Sequence, residues 1–74
     1  MDYSDKVITM SSGEKYIVIE QVDYEENTYL YLLNKEDDKD AMFVEIKDGK
    51  ILKIDPELFE KTILSLFLMK LKDN

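Results

Sequence analysis

The apolar pattern of this chain changes its period once, at Asp55-Pro56. Before this point, short stretches rich in β-branched and aromatic residues alternate with turn signals, which is typical of strands. After it, apolar residues recur every three or four positions, as in a helix. Asp55 suits the N-cap, and Pro56 suits the first helical position, where its missing N–H costs nothing. The sequence therefore predicts an α+β fold: an antiparallel five-strand meander followed by one C-terminal helix packed on one sheet face.

The strands are expected between residues 6 and 54 and the helix over about 56–72, within a single domain that spans 1–74. The predicted strands are Lys6–Met10, Lys15–Tyr24, Thr28–Lys35, Ala41–Lys47 and Lys50–Ile54. Gly13 and Asp48-Gly49 mark tight turns, whereas Glu36–Asp40 forms a charged loop. Because the third strand is apolar on both faces, it is expected to be central and covered on both sides.

The register of the hairpin between the second and third strands stays open. Ile17 and Ile19 share one face of the second strand, but the next apolar residue, Val22, falls on the other, so we expect a β-bulge near Glu20-Gln21. The loop is expected at Glu25–Asn27, with its last residue in the left-handed region. A three-residue loop puts Tyr24 on the face of Val22 and Leu30, whereas a two-residue loop pairs it with Tyr29.

Several residue types that carry chemistry are missing. The chain has no cysteine, histidine, arginine or tryptophan, which excludes disulfides and zinc sites of cysteine and histidine. Its serines have no histidine to activate them. Glu36–Asp40 is acidic but lacks the glycine and the spacing of an EF-hand loop. We therefore expect no enzyme, no cofactor and no bound metal.

The charge balance narrows the range of partners. Seventeen acidic residues oppose ten lysines, for a net charge of -7. This balance, without arginine, argues against direct nucleic-acid binding and against an anionic membrane surface. The first residues do not resemble a signal peptide, and the apolar stretch Ile63–Met69 is shorter than the roughly 20 residues that span a bilayer. A cytoplasmic location is the expectation.

The helix carries more apolar surface than one packing face needs. At about 100° per residue, the main apolar arc fills roughly 200°, twice the stripe of a helix on a sheet. This arc contains Phe59, Ile63, Leu64, Leu66, Phe67, Leu68 and Leu71. Outside it lies a strip of Leu58, Thr62, Ser65 and Met69, which either packs on turns at the sheet rim or contacts another protein. An antiparallel homodimer is the simplest contact, and lysine at both 58 and 69 is then expected to weaken association without unfolding the chain.

The aromatic residues of the strands allow two interpretations. In one, Tyr16, Tyr29, Tyr31 and Phe43 line the sheet face away from the helix and dock a partner, since tyrosine is enriched at interfaces. In the other, they form half-buried cross-strand pairs that stabilise a small sheet. The second interpretation is favoured, and Tyr29 and Tyr31 are the candidate contacts under the first.

The order of these features resembles the small acidic YrzB-like family of unknown function from low-GC Gram-positive bacteria and their phages. The similar part begins with a first strand that ends at the turn of Gly13. An aromatic-led strand then runs into an acidic-aromatic hairpin over 16–33, followed by an acidic loop, the strand Met42–Ile46 and a terminal helix. The resemblance implies a β-rich sheet with one helix and no known activity. It carries over no functional residue, and the helix here is more apolar than the family's.

Two functions from different classes follow. The first is a small cytoplasmic interaction module that binds itself or another protein through its apolar helix. The alternative is an acidic inhibitor or nucleic-acid mimic that acts on a DNA-binding enzyme. A mimic needs its carboxylates in a row on one face, whereas here they are scattered through turns and strands.

Overall fold

One antiparallel sheet, whose five strands follow each other in sequence order, makes up most of the structure. The computed structural model describes residues 2–73. The strands are β1 (Val7–Thr9), β2 (Lys15–Tyr24), β3 (Asn27–Asn34), β4 (Ala41–Lys47) and β5 (Lys50–Lys53). One C-terminal helix over 56–72 follows, so the predicted α+β meander is confirmed. No helix within the described residues is long and apolar enough to cross a membrane.

The hairpin between β2 and β3 has a two-residue loop. Glu25 and Glu26 both have positive φ, at 49° and 67°, and Tyr24 pairs with Asn27 as the first residue of β3. The predicted left-handed conformation of Asn27 is therefore wrong. A two-residue loop matches the twist of the flanking strands when both of its residues have positive φ. A longer loop does not need positive φ at both of these positions. In this register Tyr29 lies opposite Val22 and not opposite Tyr24.

A β-bulge shifts the register between β2 and β3 once, between Val18 and Glu20. Ile19 is the extra residue, one position before the predicted bulge. Because strand side chains alternate between faces, the extra residue moves every later side chain of β2 to the opposite face. Val18 and Val22 therefore point to different sides of the sheet, and β2 buries apolar residues on both.

Apolar residues on both faces of the sheet form two core clusters. The far-side cluster consists of Tyr16, Val18, Leu30, Leu32 and Val44. The helix-side cluster consists of Val22, Tyr29, Ile63 and Phe67. Tyr3 and Met10 pack against the first cluster, so residues at the amino-terminal end help to cover the side that the helix leaves open. β3 contributes to both clusters, which confirms its central, doubly covered position.

The helix begins where the sequence predicts but is not uniform. Asp55 occupies the N-cap without a side-chain capping hydrogen bond, and its carbonyl accepts the Phe59 N–H at 2.9 Å. Two α-helical segments, Pro56–Leu58 and Leu64–Lys72, flank a π-helical segment, Phe59–Ile63. A π turn adds a residue to the helix. Residues before and after it therefore do not keep the spacing of 100° per residue on which the predicted strip depends.

Phe67 should be a main source of stability. Its side chain is fully buried, with 0% exposed, and its ring centroid lies 5.0 Å from that of Phe43. Replacing Phe67 by alanine is expected to lower the free energy of unfolding by about 3–5 kcal/mol, a large part of the roughly 5–15 kcal/mol of a small domain. Urea unfolding followed by circular dichroism measures the loss. Met69→Ala is the matched control: its side chain is 63% exposed, so a change within about 0.5 kcal/mol is expected. Equal losses in both variants would contradict this packing.

Candidate functional site

The structure places Tyr29 and Tyr31 beneath the helix. Tyr29 is 1% exposed, and the ring of Tyr31 stacks on that of Phe43 with centroids 4.7 Å apart. Phe43 in turn meets two phenylalanines of the helix at 4.9 and 5.0 Å. The interpretation in which Tyr16, Tyr29, Tyr31 and Phe43 line the face away from the helix is therefore wrong, because only Tyr16 lies on that side. The period-two pattern separates two faces but does not say which one the helix covers.

The predicted helix strip is divided by the π-helical segment. Leu58 packs against the helix-side cluster and Thr62 is half-buried, whereas Ser65 and Met69 are exposed. Lysine at 58 is now expected to disturb this packing, because a charge would enter a partly buried apolar site. Of the four predicted contacts, Ser65 and Met69 remain open to a partner.

A different apolar strip is exposed on the helix. Leu68 is 57% and Leu71 is 38% exposed, and Leu64 is half-buried. These three residues, here called the leucine strip, share one flank of the helix through spacings of four and three. Leu66, on the other flank, packs against the helix-side cluster. The sheet thus covers a narrower arc, centred near Phe67, than the sequence predicts.

Opposite charges lie at the two ends of the leucine strip. Glu60 is one turn before Leu64 and Lys72 is one turn after Leu68, and both charged residues are exposed. Within residues 2–73 neither of them forms an ion pair. Other charges of the helix are engaged: Lys61 pairs with Glu57 at 2.7 Å, and Lys70 donates a hydrogen bond to a backbone carbonyl of β2 at 2.6 Å.

A polar network closes one end of the sheet. The Tyr16 hydroxyl donates to the Asp40 carboxylate at 2.5 Å, and the Asn34 amide donates to Asp40 at 3.1 Å and to Glu14 at 3.0 Å. The hydrogen bonds from Tyr16 and Asn34 lower the pKa of Asp40. The bond to Asp40 raises the pKa of Tyr16, because it needs the protonated hydroxyl. In the described part of the chain, no three acidic side chains are placed to hold a metal ion.

Comparison with family models, with curated proteins and with solved structures finds no match to this chain. The resemblance to the YrzB-like family therefore stays a prediction. No relative supplies a function or a functional residue, so the candidate sites are interpreted from their own geometry.

The polar network should make the free energy of unfolding depend on pH in the acid range. Because the folded pKa of Asp40 lies below its unfolded value, the network contributes stability above the unfolded pKa of about 3.9 and loses it as the pH falls through the folded pKa. Wild type is expected to be more stable than Tyr16→Phe at neutral pH, and the difference should shrink below about pH 4. Urea unfolding midpoints of both proteins across this range measure it. Tyr3→Phe is the control, since the hydroxyl of Tyr3 takes no part in the network. A difference that stays constant with pH would contradict the linkage.

Proposed function

We propose that the protein is a small interaction protein that pairs with a second copy of itself through the leucine strip, with the two helices antiparallel. The observation that carries the proposal is the order of residues along one flank of the helix. Leu64, Leu68 and Lys72 follow each other in steps of four within the regular α-helix, and Glu60 precedes them in the π-helical segment, so an acidic end, an apolar centre and a basic end follow one another along the helix.

This order is complementary to itself when reversed. A two-fold axis at the level of residue 66 places Leu64 of one copy opposite Leu68 of the other, and Glu60 opposite Lys72. Glu60 and Lys72 lie 12 positions apart, or about 18 Å along the helix. Each end of the contact then joins opposite charges, which offsets the repulsion between two chains of net charge -7. The antiparallel arrangement also opposes the two helix dipoles favourably.

The size of this surface indicates a reversible dimer. Full burial of an exposed leucine stabilises by roughly 1.5–3 kcal/mol, and the contact buries Leu68 and Leu71 from each copy. Association itself costs an estimated 4–15 kcal/mol or so. Four leucines at this rate contribute at most about 6–12 kcal/mol, which is comparable to the cost of association, so the balance favours a weak, reversible dimer over an obligate one.

Other expectations enter the proposal unchanged: a cytoplasmic location, no catalysis and no direct binding of nucleic acid. The alternative of an acidic mimic needs a continuous row of carboxylates. The acidic residues around Asp40 are interleaved in sequence with Lys15, Lys35 and Lys39. A mixed surface of this kind gives the mimic less support than the leucine strip gives self-association.

Leu68→Lys is expected to raise the dissociation constant of the dimer by roughly a hundredfold or more, because two leucines of about 1.5 kcal/mol each leave the contact and two like charges enter it. Sedimentation equilibrium over micromolar to sub-millimolar concentrations measures the change. Met69→Lys is the matched control, since Met69 is 63% exposed but lies about 100° round the helix from Leu68. A wild type that stays monomeric would sink the proposal, and loss of the dimer only in Met69→Lys would move the contact to the strip that the sequence predicts.

A charge exchange tests the antiparallel geometry. Glu60→Lys places two lysines opposite each other at both ends of the contact, and Lys72→Glu places two glutamates there, so each single variant should associate more weakly. The double variant restores opposite charges and should recover most of the affinity. A parallel pairing predicts neither the loss in the single variants nor the recovery, because residue 60 then lies opposite residue 60 and like charges meet in every variant. The same sedimentation measurement at low salt, where ion pairs are least screened, decides between the two.

A further inference from the structure

An apolar pocket lies away from the leucine strip, between the end of β1, the strands β4 and β5, and the first turn of the helix. Its volume is about 550 Å³, within the roughly 300–1,000 Å³ of ligand pockets. Its apolar lining includes Met10, Met42, Ile51, Leu52, Ile54 and Phe59. Among its lining residues only Lys53 is charged, in a chain whose net charge is -7.

A stretch of unpaired backbone borders this pocket. β5 pairs only with Val44–Lys47, so Ala41–Phe43 of β4 has no neighbouring strand on that side within residues 2–73. The chain leaves this edge after Lys53, because Ile54 packs against the helix-side cluster and Pro56 begins the helix. The edge is therefore open as a consequence of where the sequence starts its helix.

The turn between β4 and β5 fixes which backbone groups face outward. Asp48-Gly49 has positive φ at both residues, 53° and 75°, so Lys47 and Lys50 form the hydrogen-bonded pair next to a two-residue turn. Hydrogen-bonded and non-bonded pairs alternate along an antiparallel ladder. The N–H and C=O groups of Phe43 and Ala41 consequently point toward the open side, next to the pocket.

We infer that this edge binds an extended peptide that alternates apolar and acidic residues, as a short strand added to β4 beyond the end of β5. Unpaired N–H and C=O groups along a strand select a partner in extended conformation. The pocket beside them accepts the apolar side chains, and the flexible Met10 and Met42 can adapt to their shape. Lys53 at the rim selects a carboxylate. The site shares no residue with the leucine strip, so it is independent of the proposed dimer.

Three synthetic hexapeptides test the inference by nuclear magnetic resonance on the labelled protein. The first alternates glutamate with valine or phenylalanine, the second has lysine in place of glutamate, and the third is the glutamate peptide N-methylated at alternate backbone nitrogens. The glutamate peptide is expected to shift the amide signals of Ala41 and Phe43 and to slow their hydrogen exchange. The lysine peptide should bind roughly tenfold more weakly, and the methylated peptide should not slow the exchange, because it cannot donate along the edge.

Point variants locate the site. Ile51 lines the pocket and is 36% exposed, so Ile51→Glu should weaken binding of the glutamate peptide by roughly tenfold while the circular dichroism spectrum stays that of wild type. Val7→Glu is the matched control, on the opposite edge strand with 48% of Val7 exposed, and should bind as wild type does. Leu68→Lys should also bind normally, even if the dimer is lost. The inference is overturned if the glutamate peptide shifts no signal at millimolar concentration, if the methylated peptide protects equally well, or if Leu68→Lys abolishes binding.

Discussion

The extra residue at Ile19 is the constraint on which the rest of the structure depends. A strand without it would carry Tyr16, Val18 and Val22 on one face, because side chains alternate strictly. With it, the first part of β2 enters the far-side cluster and the last part enters the helix-side cluster. One five-stranded sheet can then serve two small cores. A chain of 74 residues with no cysteine needs both of them, since a domain of this size buries only about 60% of the surface of its unfolded chain.

The sequence predicts those parts of the fold that short segments determine. Alternation and turn signals place every strand within a few residues, and Asp55-Pro56 locates the helix start. The predicted bulge lies one residue from the observed one. The change in apolar alternation before Val22 shows that the strand contains an extra residue, but it does not show which residue this is. The predicted loop is wrong because asparagine adopts the left-handed conformation more often than glutamate does, whereas Glu25 and Glu26 adopt it here.

The site is less predictable because it depends on two choices that the pattern does not contain. Both sheet faces are apolar, so the pattern cannot say that Tyr29 and Tyr31 lie beneath the helix. The π-helical turn has no sequence signal, yet it decides that Leu58 is covered. The assumption of 100° per residue also places Leu68 in the packing face, although the sheet covers a narrower arc. Periodicity gives the amount of apolar surface but does not show which part of it stays exposed.

The meander topology has a consequence for how the molecule forms. Each strand pairs with its neighbour in sequence. The sheet therefore assembles through contacts between residues that are close in sequence, and such contacts favour fast folding. The helix, however, is synthesised after all five strands. On the ribosome, the aromatic face that carries Tyr29, Tyr31 and Phe43 remains bare until residues 56–72 emerge. The nascent sheet therefore exposes an aromatic surface that favours association until the helix covers it.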